Sequence, residues 1–137
     1  DARYKGEKGP SQWVTSDVAR RQVFIDDPMA GIDISVNFDW NMIKAFGRIY
    51  KKENIAKISP NVRIGIFSGD MDPIGGTKSS KAKKLLRRYH KAGLNAEIHI
   101  YKDARHELHN EKCRDEYFRD IVGFFDSAIS AAEPAVV

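Results

Sequence analysis

Apolar residues recur at helical spacing over several stretches and at strand spacing over others, and that contrast lays out the chain. Phe38, Met42, Phe46 and Ile49 share one helical face, with Ile43 and Tyr50 beside it, which predicts a helix over about 37–52. Ala82, Leu85, Leu86 and Tyr89 do the same over 77–92, and Gly93 follows where a left-handed residue commonly ends a helix. Tyr117, Phe118, Ile121, Val122, Phe125 and Ile129 form the stripe of a last helix over about 111–131, with Pro134 just beyond. A shorter helix is expected over 17–24. Ser16 is its expected cap, and Asp27-Pro28 stops it, because a residue before proline is pushed out of the helical region.

The segment at about 62–68 (VRIGIFS) is short, β-branched and mostly apolar, as in a parallel strand covered on both faces. Residues 96–101 (AEIHIY) alternate, which predicts a strand with two unlike faces. Turn formers fill 68–76, and 102–110 reads as a loop. The polar stretch 1–12 reads as a loop or a frayed end. The second half is therefore strand, helix, strand, helix. Strands joined by a helical crossover are parallel, so the expected class is α/β.

Composition narrows the picture without changing it. The chain has 137 residues, 42% hydrophobic and 31% charged, which suits one globular domain with its own core. No apolar run approaches the ~18 residues of a membrane-spanning helix. Cys113 is the single cysteine, so there is no internal disulfide framework and no CxxC knuckle. A lone thiol suits a reducing compartment, and the expectation is a cytoplasmic protein able to associate with a membrane surface. The net charge of +4 permits an anionic partner without demanding one. Lys81, Lys84, Arg88 and Lys91 line one side of the 77–92 helix. A solvated outer face is the default for such a stripe, and attraction to anionic headgroups the alternative. Nucleic acid is not an expected partner, because no aromatic residues are interleaved for stacking.

Ligands of open parallel sheets bind beyond the carboxyl ends of the strands. One loop leaving such an end carries Asp70 and Asp72; the other carries Arg105, His106, Glu107 and His109. If the strands are neighbours, a carboxylate and an imidazole can meet there. The carboxylate would then fix the tautomer of a histidine that exchanges protons at its other nitrogen. Asp72 and His106 are the candidates. Asp70 is the rival acid, and either aspartate can instead serve its own turn. His90, His99 and His109 read as surface or strand histidines. His-Glu-Leu-His at 106–109 falls one residue short of the spacing that puts two zinc-binding imidazoles on one helical face, so no metal is expected. None of the serines lies in G-x-S-x-G, and Cys113 is expected within the last helix, too far along to serve as nucleophile.

VRIGIFSGDMDPIGG, a helix, then AEIHIYKDARHELHNE resembles the C-terminal half of α/β-hydrolases of the lysophospholipase and monoglyceride-lipase type, grouped with the S33 serine aminopeptidases. The resemblance implies that Asp72 is the acid and His106 the base of a catalytic triad. QWVTSDVARRQVFIDDPMAG is similar to the cap segment of bacterial lysophospholipase-like members. Residues 1–58 are then a cap or lid segment with a connecting helix, and 59–137 the C-terminal part of the hydrolase core. The implied activity is hydrolysis of carboxylic esters, including lipid esters, with no cofactor. The nucleophilic serine would lie in an N-terminal half outside this chain, which starts at Asp1 and is expected to be a piece of a longer protein. An aminopeptidase-like activity and a non-catalytic binding fragment are the alternatives. A fragment of this kind should expose an open strand edge and an apolar face, to be covered by the missing half or by self-association.

Overall fold

The computed structural model describes Tyr4, Gly6, Glu7 and residues 10–132. The elements in chain order are α1 (Val18–Asp26), α2 (Val36–Ile49), α3 (Lys52–Ile55), β1 (Arg63–Gly69), α4 (Ser80–Lys91), β2 (Asn95–Tyr101) and α5 (Arg114–Ala132). Single 3-10 turns lie at Thr77–Ser79 and Leu108–Asn110. The expected residues at 1–3, 5, 8, 9 and 133–137 lie outside the described ones.

β1 and β2 are hydrogen-bonded neighbours running parallel, from Arg63 opposite Asn95 to Gly69 opposite Tyr101. Both strands end at the same level. The loops that follow them therefore start side by side, as the crossover argument requires. α4 packs against β2, and the core gathers where β2 meets its following loop. Tyr101, Ala104 and Leu108 are buried there, with Phe67 and Tyr117 packed on them. The Tyr117 ring meets Phe67 and Tyr101 edge-on, with centroids 5.9 and 5.8 Å apart. That edge-to-face geometry favours aromatic pairs beyond simple area burial.

Local departures from the sequence pattern have local causes. Asp17, not Ser16, caps α1, accepting from the amides of Ala19 and Arg20, because the Ser16 hydroxyl is committed to Glu111 at 2.5 Å. The predicted helix over 37–52 begins at Val36, breaks at Tyr50 and resumes as the short α3. The predicted helix over 77–92 starts late, since Lys78 and Ser79 adopt left-handed backbone. Fully buried Ser79 donates its hydroxyl to the Gly69 carbonyl at 3.1 Å, which fixes that entry turn. Cys113 lies in the turn before α5 rather than inside it.

β1 was expected to be covered on both faces, yet only Ser68 and Gly69 are buried. Among the described residues the sheet has two strands, so β1 keeps an unpaired edge. α2 buries none of its residues, and Phe38, Trp40, Ile43, Phe46 and Ile49 are all exposed. Phe118, Val122, Phe125 and Ile129 of α5 are exposed as well. Fully burying one such side chain is worth about 1.5–3 kcal/mol, so these faces together favour a covering partner strongly.

Candidate active site

The site is built where the two post-strand loops cross. Gly69, the last residue of β1, passes directly beneath the histidine loop. A Cβ there would lie 2.2 Å from the Ala104 carbonyl oxygen and 2.4 Å from that of Arg105. The loops are then stitched together by backbone. Asp70 N donates to Tyr101 O at 3.0 Å, and Met71 N donates to Ala104 O at 2.9 Å. The Asp70 carboxylate accepts from the Asp103 amide at 2.7 Å, which holds Asp103 in its left-handed conformation. Asp70 thus ties one loop to the other instead of facing a histidine.

Asp72 is 8% exposed. Its Oδ1 accepts from the Ile74 amide at 2.8 Å, closing its own turn. Its Oδ2 lies 3.3 Å from Nδ1 of His106. The turn carboxylate and the partner of an imidazole are the same residue, using different oxygens. With Nδ1 facing Asp72, the tautomer that donates there carries its free lone pair on Nε2. Beside Asp72 an open cleft of about 560 Å³ is lined by Ile66, Phe67, Ile74 and Leu85.

His106 is held from the other side by the segment 12–16, which forms a strap across its loop. His106 N donates to Trp13 O at 3.3 Å, and Glu107 N donates to Val14 O at 2.8 Å. The Thr15 hydroxyl donates to Asn110 O at 2.8 Å. Glu111 is 1% exposed, a buried carboxylate that would be costly without partners. It has them: its oxygens accept from the amides of Ser16 and Arg105 at 2.7 and 2.8 Å and from the Ser16 hydroxyl. One side chain thereby joins the strap to both ends of the histidine loop.

Arg105 completes the attachment. Its guanidinium donates to the carbonyls of Gln12 and Thr15, lies 4.2 Å from the centre of the Tyr4 ring, and pairs with Glu7. Arg21 of α1 reaches the same carboxylate at 2.5 Å. The hydrogen bond from Arg105 is the main reason the Glu7 carboxyl is held down to about 2, against burial, which opposes it. A depressed carboxyl stabilises the fold only while ionised. Its contribution is complete above the ordinary value of 4.5 and is lost as the pH falls through about 2. Glu7 is partly open to solvent, so screening keeps the effect modest. The stability difference between the parent and Glu7→Gln, followed by denaturant unfolding, should therefore shrink from pH 4.5 downward and vanish at the acid end. A difference independent of pH would contradict this account.

The remaining candidates are placed elsewhere. His99 stacks on Phe67, with centroids 4.9 Å apart, and bonds Glu97 at 3.0 Å; that contact lowers the Glu97 carboxyl. His90 bonds the Ala96 carbonyl at 2.7 Å, and His109 is exposed beyond the strap. The buried Ser68 hydroxyl is shared between Gly69 O and Ser79 Oγ. Burial, followed by the nearby Glu111 charge, pushes the Cys113 thiol up, away from the reactive thiolate. Among the described residues no cluster of three or more His, Cys, Asp or Glu side chains is arranged to hold a metal ion. No helix is long and apolar enough to cross a membrane among them.

Thr15, Glu7 and Glu111 were not singled out as site residues from sequence. Their partners lie up to 98 positions away, as for Glu7 and Arg105. The one sequence signal was a run of polar residues around His106, which composition alone reads as an ordinary loop.

The family model described as serine aminopeptidase, S33, matches residues 3–113. The solved structure of a highly thermostable carboxyl esterase from Bacillus coagulans, in complex with glycerol, superposes with a TM-score of 0.84 at 23% identity. That match covers 93% of this chain and 42% of the esterase, so the chain spans less than half the length of the structure it resembles. No curated protein matches. The likeness to the esterase shows the fold, an α/β-hydrolase of which this chain forms a part, and the family match extends across the strap, the Asp72 turn and the histidine loop. The chain belongs to the S33 serine aminopeptidase family of α/β-hydrolases.

Proposed function

We propose that this chain supplies the acid and the base of a serine hydrolase acting on carboxylic esters, lysophospholipids or monoacylglycerols among them. The observation that carries the reading is the 3.3 Å approach of Asp72 Oδ2 to His106 Nδ1 at the shared carboxyl edge of two adjacent parallel strands. The nucleophilic serine and the oxyanion donors belong to a segment that would cover the open edge of β1 and the apolar faces of α2 and α5. Residues 1–58 are read as the cap segment and 59–137 as the C-terminal part of the core.

The chemistry follows from the placement. His106 Nε2 accepts the serine proton as the serine oxygen bonds to the acyl carbon. Asp72 stabilises the imidazolium that results. When the tetrahedral intermediate collapses, the carbon–alcohol bond breaks and Nε2 returns the proton to the leaving alkoxide. Water then attacks the acyl-enzyme with His106 again as base; the acyl–serine bond breaks, Nε2 returns the proton to the serine oxygen, and the acid leaves. The reaction draws on nucleophilic attack and proton transfer and calls for no metal or organic cofactor. The basic side of α4 supports contact with a membrane surface, and the reading places the protein in the cytoplasm.

A fluorophosphonate probe tests the division of labour. It should label the intact hydrolase on a serine outside these 137 residues and leave this chain alone unlabelled. Labelling of a serine within the chain, or none in the intact protein, would overturn the reading. Parallel assays on a monoacylglycerol and an aminoacyl anilide separate the esterase reading from the aminopeptidase activity for which the family is named.

A further inference from the structure

Trp13 stands apart within the strap. Its neighbours Val14 and Thr15 are buried against the histidine loop, while its own large side chain is 38% exposed. The backbone of residue 13 anchors His106 through the bond from His106 N to Trp13 O. The indole then lies against the imidazole itself, with ring centroids 5.1 Å apart and the planes inclined at 44°. Every attachment that fixes this position is made by backbone atoms or by other side chains: Arg105 on the Gln12 and Thr15 carbonyls, Thr15 on Asn110, and Glu111 on Ser16. The fold therefore holds a half-exposed indole beside the imidazole without using the indole for attachment.

That position has a chemical meaning. The imidazole turns Nδ1 to Asp72, so proton exchange with substrate takes place at Nε2. The leaving alcohol of an ester must come within about 3 Å of that nitrogen to receive its proton. A group flanking the imidazole ring then lies next to whatever carbon skeleton the alcohol carries. An aromatic face suits such a skeleton, because it offers a large, rigid apolar surface at little entropic cost.

We propose that Trp13 is a specificity-determining residue, its indole forming the wall of the leaving-alcohol subsite and favouring esters whose alcohol is large enough to lie on it, a glyceryl or benzyl group, over methyl esters. The inference rests on the assignment of His106 as the base.

The test uses butyrate esters of methanol, glycerol and benzyl alcohol with the intact hydrolase. One acyl group gives one acyl-enzyme, so only the alcohol side differs. Trp13→Ala should lower kcat/KM for the glyceryl and benzyl esters about tenfold, the size of one good aromatic contact, and change the methyl ester by less than about twofold. Trp13→Phe should recover most of the preference, and the pH profile of kcat/KM should stay in place. Equal losses on all three esters, or a displaced pH profile, would make Trp13 a support for His106 only and overturn the proposal, as would unchanged kinetics. Thermal melts check that the strap survives; should Trp13→Ala unfold, Trp13→Leu and Trp13→Phe carry the same comparison. His106→Ala run alongside separates the two claims: full activity in that variant removes the base assignment, whereas an inert variant with unaltered alcohol preference in Trp13→Ala removes the subsite alone.

Discussion

Replacing His106 with Ala in the intact hydrolase is expected to lower kcat for ester hydrolysis by roughly 10⁵-fold, with KM changed only a few-fold, because a triad base acts almost entirely in the transition state. Asp72→Asn is the sharper companion. Asn keeps an oxygen for the Ile74 amide, so the turn that Oδ1 closes at 2.8 Å survives. What changes is the group facing Nδ1 of His106. An amide there cannot stabilise the imidazolium, and presenting its NH₂ group would favour the wrong tautomer, so kcat should fall by roughly 10⁴-fold with the fold intact. Asp72→Ala would also remove the turn bond, and its loss of activity would mix two causes. Steady-state kinetics beside a denaturation curve read the distinction directly. Less than a tenfold loss in a folded His106→Ala protein would remove His106 from the chemistry.

The largest effect on stability is expected at a residue with no side chain. Gly69 ends β1 under the carbonyls of Ala104 and Arg105, and a methyl group there would sit 2.2 Å from the first of them. Neither neighbour is the yielding tip of a long side chain. Both are backbone, in a loop pinned by the Met71–Ala104 hydrogen bond and by Glu111 on the Arg105 amide. Relief requires the two loops to separate, which breaks their stitching and moves His106 away from Asp72. Gly69→Ala should therefore cost roughly 3–5 kcal/mol, at or above the top of the overpacking range. Gly123 in α5 is the control, since a Cβ there meets nothing within 4 Å. Gly123→Ala should be neutral or stabilising by up to about 1 kcal/mol, as an added methyl in an open helix position removes backbone freedom from the unfolded chain. Urea unfolding of the two variants against the parent checks both signs, and equal costs at the two sites would refute the close-approach argument.

These variants probe contacts of very different legibility. The loops of Asp72 and His106 could be brought together from sequence because each follows a strand whose apolar run is plain, and parallel neighbours bring their carboxyl ends together; the family resemblance then pointed to these two residues within them. The positions of α4 and α5 were legible for a similar reason: their apolar residues repeat with the helix. Ser16 shows where such reading stops. A serine before a helix ordinarily caps it, but here a glutamate distant in sequence takes both its amide and its hydroxyl, and Asp17 caps instead. Ser79 is similar. Nothing local says that its hydroxyl will be buried on Gly69 O and hold the start of α4 in left-handed backbone. The coverage of β1 was misread because an apolar strand reports the neighbours it is suited to, while its burial depends on those present.

By itself the sequence determined the order of strands and helices, the parallel pairing that follows from a helical crossover, and the arrival of a carboxylate and an imidazole at one sheet edge. These rest on short-range periodicity and on chain connectivity, both written locally. Only the tertiary structure decided which oxygen of Asp72 meets His106, that Asp70 serves the neighbouring loop, and that the segment from Glu7 to Ser16 clamps the histidine loop through Arg105 and Glu111. Those are contacts between single polar groups brought together from opposite ends of the chain. They carry no repeat for a pattern to reveal, and they form only once packing has closed the loop between them.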